Sequence, residues 1–207
     1  MSPPPSPAGV SPNMSTAAAT SARPGEVLAD RLPLSGVRAR DIALVVGGAA
    51  LTGLAAQIAV PVPGSPVPVT GQTFAALLVG TTLGAGRGVA SLALYALVGL
   101  LGVPWFANGT SGVGVSFGYI LGMILAVAAV GALARRGGDR STLRMAGTML
   151  VGEVIIYAVG VPYLAATADI SLSSAVALGL TPFLIGDAIK VVLAMGLLPT
   201  AWKLLKK

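Results

Sequence analysis

Cysteine and histidine are both absent from the 207 residues, and only seven residues are acidic. Without cysteine there is no disulfide and no thiol chemistry, and without either residue the usual zinc and haem sites cannot be built. The lack of histidine also removes the commonest general base. Seven acids leave hydrolytic or redox catalysis few parts, so no catalytic residue, metal site or cofactor is expected. A glycine-rich phosphate loop ending in Lys-Ser or Lys-Thr is missing too, so the chain does not hydrolyse ATP itself. Charge of either sign is scarce: 10% of residues carry it, against about 25% in a soluble domain. Such a chain cannot cover a water-facing surface, whereas a surface solvated by lipid needs few charges.

What is there fits a membrane. Hydrophobic residues make up 55% of the chain, and the 28 glycines suit helices that pack closely in lipid. The net charge of +6 does not mark a nucleic-acid surface. The basic residues sit at the ends of apolar runs and form no patch with aromatics. Residues 1–38 form a separate zone, rich in Pro, Ser, Ala and Thr through Gly25. With no sustained apolar run it is expected to be a disordered cytoplasmic tail. It lacks the apolar core of a signal peptide, and Met14 is an alternative start. Residues 39–207 are expected to form the membrane domain.

Six apolar runs follow, at 41–60, 72–83, 89–101, 117–133, 143–165 and 182–198. A hydrocarbon core about 30 Å thick needs about 20 helical residues, so the second and third barely span. They are expected to be extended by irregular backbone, which membranes tolerate where it lines a cavity. The first loop, 61–71, contains Pro61, Pro63, Pro66 and Pro68, which forbids a regular helix. Residues 84–88 read as a tight turn, 102–116 as a glycine-rich loop and 171–180 as a short surface helix. The fold class is therefore all-α, an integral membrane protein of six transmembrane helices.

Topology follows from the placement of arginine and lysine. Twelve of the thirteen basic residues fall before span one, between spans two and three, between spans four and five, or after span six. The alternate loops 61–71, 102–116 and 166–181 have none. By the positive-inside rule both termini are cytoplasmic.

The thirteenth is Lys190, inside span six, with Asp187 three residues before it. A charge in hydrocarbon costs about 2.5–3.5 kcal/mol even on a mild scale and persists where it is paired or functional. Spacing i, i+3 puts both side chains on one face, near the outer surface and its polar loops. One reading is mutual neutralisation. The other, which we favour because a buried pair is a poor source of stability, is ligand recognition. Asp supplies acceptors and Lys up to three N–H donors, which suits a cyclic urea or an amide. Gln72 and Asn108, at the outer ends of spans two and three, bond a ligand or cap loop backbone. Tyr119 and Trp105 stack on a compact ring, or Trp105 lies in the interfacial belt. Glu153 near the middle of span five is left unassigned, and Tyr157 and Tyr163 are read as packing or interfacial-belt residues. On span one, Ala43, Gly47 and Leu51, among similar stripes of small residues, mark a close helix contact, within the bundle or with a partner.

Three stretches together resemble the BioY family, the biotin-binding substrate-capture (S) components of energy-coupling factor (ECF) transporters. They are Val67-Pro68-Val69-Thr70-Gly71-Gln72-Thr73 with Leu83-Gly84-Ala85-Gly86-Arg87-Gly88; Gly102-Val103-Pro104-Trp105-Phe106-Ala107 with Gly118-Tyr119; and Pro182-Phe183-Leu184-Ile185-Gly186-Asp187-Ala188-Ile189-Lys190. The resemblance covers residues 41–205. It implies a six-helix fold in a bacterial cell membrane, with outer loops capping a biotin pocket. By that matching, Asp187 and Lys190 would read the polar head of biotin, and Gln72, Asn108 and Tyr119 become substrate-binding candidates. It also implies a transmembrane coupling protein and two cytoplasmic ATPases as partners. Two alternatives remain at this point: capture of another vitamin, of the thiamine or riboflavin class, or an intramembrane lipid-modifying enzyme using Asp187 and Glu153.

Overall fold

A computed structural model describes residues 25–31 and 37–205. Seven α-helices carry the fold: α1 Val37–Ala56, α2 Gln72–Leu83, α3 Ala85–Leu100, α4 Phe117–Arg135, α5 Thr142–Thr167, α6 Leu172–Gly179 and α7 Leu184–Leu204. Among the described residues four stretches are long and apolar enough to cross a membrane: Arg38–Ala56, Phe117–Arg135, Thr142–Thr167 and Leu172–Leu204. The 12 residues of α2 and 16 of α3 reach only about 18 and 24 Å. The first run ends earlier than its apolar character suggests. Ala59–Val60, expected to be helical, forms a strand (β1) paired antiparallel with Val69–Thr70 (β2). The prolines between them leave a hairpin as the way to turn.

Glycine sets how closely the helices approach. At Gly122 of α4 an added Cβ would lie 2.8 Å from the carbonyl oxygen of Ile156 on α5. At Gly80 of α2 it would lie 3.1 Å from Val127 backbone on α4. α4 is accordingly the central helix, flanked by α2, α3 and α5. Gly84, at φ 81°, makes the whole turn between α2 and α3, so residues 85–88 belong to α3 rather than to a loop. The hydroxyls of Thr52, Thr81, Ser91 and Thr167 donate to carbonyls four residues back. Hydroxyls inside apolar helices thereby need no water.

The end of the bundle opposite the hairpin is closed by charge. Residues 25–31, assigned above to the disordered tail, are ordered; residues 1–24 and 32–36 of that tail lie outside the described residues. Leu28–Arg31 is a 3-10 turn with Val27 and Ala29 buried. Asp30 accepts from Arg87 at 2.6 Å and from the Val27 N–H at 3.1 Å, and Arg87 also meets Asp41 at 3.2 Å. Burial pushes the Asp30 carboxyl up, but the hydrogen bonds from Arg87 and Val27 and the charges of Arg87 and Arg135 outweigh it. Asp30 is held below its ordinary value. Trp202 of α7 donates its indole N–H to Asp139 at 2.6 Å, beneath the Arg140 guanidinium. Burial pushes the Asp139 carboxyl up despite that bond.

Candidate functional site

At the hairpin end, backbone geometry aims side chains into the bundle. The Gly71 N–H donates to the Ile58 carbonyl at 2.9 Å, and α2 begins at the next residue. Gln72 and Thr73 therefore stand in the first turn of α2, beside the hairpin. Pro182 sits within the 3-10 turn Thr181–Phe183, which leads directly into α7. Asp187 falls in the first turn of α7, where the helix dipole favours a carboxylate.

Lys190 and Asp187 meet there. Lys190 Nζ lies 3.0 Å from Asp187 Oδ1 and donates to Thr73 Oγ1 of α2 at 2.8 Å. The Tyr157 hydroxyl of α5 donates to Asp187 Oδ2. Both side chains are largely enclosed, at 12% and 9% exposure. Each nevertheless retains bonding capacity. Two of about four carboxylate lone-pair sites and two of three ammonium N–H groups are engaged.

The pair lines a cavity of about 30 Å³ together with Val67, Pro68, Gln72, Tyr119 and Tyr157. That volume holds about two waters, so admitting a ring requires the segments above it to move. Of the expected site residues, Asp187, Lys190, Gln72 and Tyr119 share this cavity. Two of them already have protein partners: Gln72 Oε1 accepts from the Tyr95 hydroxyl at 3.0 Å, and the Tyr119 hydroxyl donates to the Gly179 carbonyl at 2.8 Å. Asn108 is not among the residues lining it. It lines an adjoining cavity of about 310 Å³ that shares Pro68, Ala107 and Ser116 as walls. Its left-handed backbone (φ 58°) is one that asparagine tolerates better than most residues.

Trp105 does not stack over the cavity; it is seated between α1 and α3, with its indole N–H on the Tyr95 carbonyl. Tyr157, read above as a packing or belt residue, is instead a wall of the cavity and a direct partner of Asp187. Thr73, next to Gln72 in the sequence, joins the site through its hydroxyl on Lys190. Glu153 lies one turn before Tyr157 on the same helix. It is 5% exposed, and neither carboxyl oxygen has a hydrogen-bond partner. It faces a wide apolar groove of about 770 Å³ between α5, α6 and α7, and Tyr157 and Asp187 line groove and cavity alike.

The family model that describes the BioY family matches residues 26–207. A protein of Lactococcus lactis subsp. cremoris named biotin transporter BioY2 is 34% identical over 156 residues, 74% of this chain and 85% of that one. A Pyrococcus horikoshii protein named probable biotin transporter BioY is 34% identical over 159 residues, 77% of this chain and 94% of that one. Among solved structures, the S-component for biotin from an ECF-type ABC transporter superposes with a TM-score of 0.73. It does so at 20% identity, over 83% of this chain and 95% of its own. The chain belongs to the BioY family.

Proposed function

We propose that this protein takes up biotin, as the substrate-capture (S) component of an ECF-type transporter in a bacterial cell membrane. The six apolar runs cross the bilayer, with the hairpin and the glycine-rich loop outside and both termini in the cytoplasm. The distribution of arginine and lysine supports that orientation, as does the clustering of Arg87, Arg135 and Arg140 at one end of the bundle. A transmembrane coupling protein and two cytoplasmic ATPases supply the energy, since this chain has no phosphate loop of its own.

The observation that carries the reading is the Asp187–Lys190 pair, enclosed beneath the hairpin with unused acceptors and an unused N–H. A cyclic urea matches it group for group. Its N–H groups point at the Asp187 carboxylate and its carbonyl accepts from Lys190. Tyr157 and Thr73 hold the two charges in place, while Gln72 and Tyr119 line the sides. Asn108 comes to the ligand as the loop around it closes, and the adjoining cavity takes the remainder of the molecule. Because these groups are largely ordered before the ligand arrives, little conformational entropy is lost on binding.

Isothermal titration calorimetry with biotin tests this. The wild-type protein is expected to bind tightly. Lys190→Ala, which leaves Asp187 without its cation, is expected to weaken binding about tenfold to a hundredfold, since a bond to a charged group is worth about 1.5–3 kcal/mol, while the protein still inserts and elutes as a single species. Unchanged affinity would remove the pair from the site, and wild-type protein that ignores biotin but binds thiamine or riboflavin would reassign the ligand.

A further inference from the structure

The seat of Trp105 is more specific than packing requires. At Gly53 of α1 an added Cβ would lie 2.8 Å from Trp105 Cε3, so the indole rests on the bare helix backbone. One turn on, the Gln57 side-chain amide nitrogen stands 2.9 Å from the Trp105 carbonyl oxygen, 3.3 Å from that of Phe106 and 3.0 Å from that of Gly53. The same loop is gripped from the other side. The Trp105 indole N–H donates to the Tyr95 carbonyl at 3.0 Å. The Tyr95 ring lies 5.3 Å from the Trp105 ring and 5.2 Å from Phe106. Tyr95 is itself fully buried, and its hydroxyl ends on Gln72 Oε1 in the cavity. Ala107, two residues past Trp105, forms part of the cavity wall.

We infer that Trp105 is a positioning residue: seated on α1 by Gly53 and Gln57, it sets the loop wall at Ala107 and, through Tyr95, the amide of Gln72. A continuous path of contacts thus runs from α1 to the ligand cavity without touching Asp187 or Lys190. α1 is peripheral, with 28% of its apolar span buried against 56% of that of α4, and Ile42, Val46, Leu51 and Leu54 lie exposed along it. A shift of α1 relative to the bundle therefore moves the cavity wall, and release of the ligand depends on where α1 sits.

The inference rests on biotin as the ligand, and it is tested by biotin dissociation rates from purified protein at pH 8 and pH 4, each taken relative to wild type at the same pH. Gln57→Glu places a carboxylate, which cannot donate, against three carbonyl oxygens. Dissociation is expected to be about tenfold faster at pH 8 and to return toward the wild-type rate at pH 4, below the ordinary glutamate value of about 4.3, where the protonated acid donates again. Gly53→Ala lifts the indole off its seat and is expected to speed dissociation at both pH values. Should Gln57→Glu fail to fold, Gln57→Leu combined with Tyr95→Phe serves instead: the two changes break one path, so their effects on the rate are expected to be less than additive. Rates equal to wild type, a Gln57→Glu rate raised equally at both pH values, or additive effects would overturn the inference. Wild-type protein that fails to bind biotin overturns the ligand reading and this inference with it. A wild type that binds, with unresponsive variants, overturns this inference alone.

Discussion

Asp187 is held from two sides, by Lys190 on its own helix and by Tyr157 across the α5–α7 contact. The tyrosine therefore has a measurable task. Tyr157→Phe keeps the ring and removes the hydrogen bond that orients the Asp187 carboxylate before the ligand arrives. Biotin affinity by calorimetry is expected to fall by about three- to tenfold through lost preorganisation, less than for Lys190→Ala, because the cation stays. An affinity within twofold of wild type would mean that Tyr157 only fills space. These two residues also separate what a sequence displays from what it hides. A lysine inside an apolar run is visible in one dimension, since hydrocarbon makes it costly wherever the chain goes. A tyrosine is at home in a membrane helix. Tyr157 matters because α5 meets α7 at that level, and no spacing along either helix states it. Thr73 was equally silent, since threonine in a helix ordinarily turns its hydroxyl to its own backbone.

Among the elements, the short segment at residues 25–31 departs most from expectation. It follows directly on a proline- and serine-rich tail. Yet Val27 and Ala29 are buried and Asp30 is shared by Arg87 and the Val27 amide. Asp30→Asn removes the charge and is expected to speed amide hydrogen exchange across residues 27–31 severalfold, with α4 unchanged. Acid should act in the same direction. The Asp30 carboxyl titrates lower folded than unfolded, so its contribution is complete above the unfolded value, about pH 4, and is lost as pH falls through the folded one. Exchange at residues 27–31, corrected for intrinsic rates, is expected to be protected at pH 5 and released near pH 3. Protection that persists in acid would place the anchor in the buried Val27 and Ala29 instead. The hairpin shows the opposite case. Four prolines announced that no helix could run from 61 to 68, but the pairing of Ala59 with Thr70 needed a partner strand brought back into register.

For the whole molecule, orientation in the membrane is the property to measure, and the absence of cysteine makes single-cysteine reporters free of background. In intact cells a membrane-impermeant maleimide is expected to label Pro63→Cys in the hairpin. Arg136→Cys, at the arginine-rich end, is expected to react only after permeabilisation; the reverse pattern would invert the topology and put the Asp187–Lys190 cavity on the cytoplasmic side. The sequence by itself determined that the chain lives in lipid, where its apolar runs lie, which loops gather positive charge and which ion pair stands out of place. Each of these is a local energy of transfer, set by a residue and its immediate neighbours. Only the tertiary structure decided that Tyr157 and Thr73 complete the pair, that Asn108 stands in an adjoining cavity, and that Trp105 rests on α1 rather than over the site. Those are contacts between helices far apart in the chain. They depend on how closely glycines such as Gly122 let the helices approach, and that distance exists only once the bundle has closed.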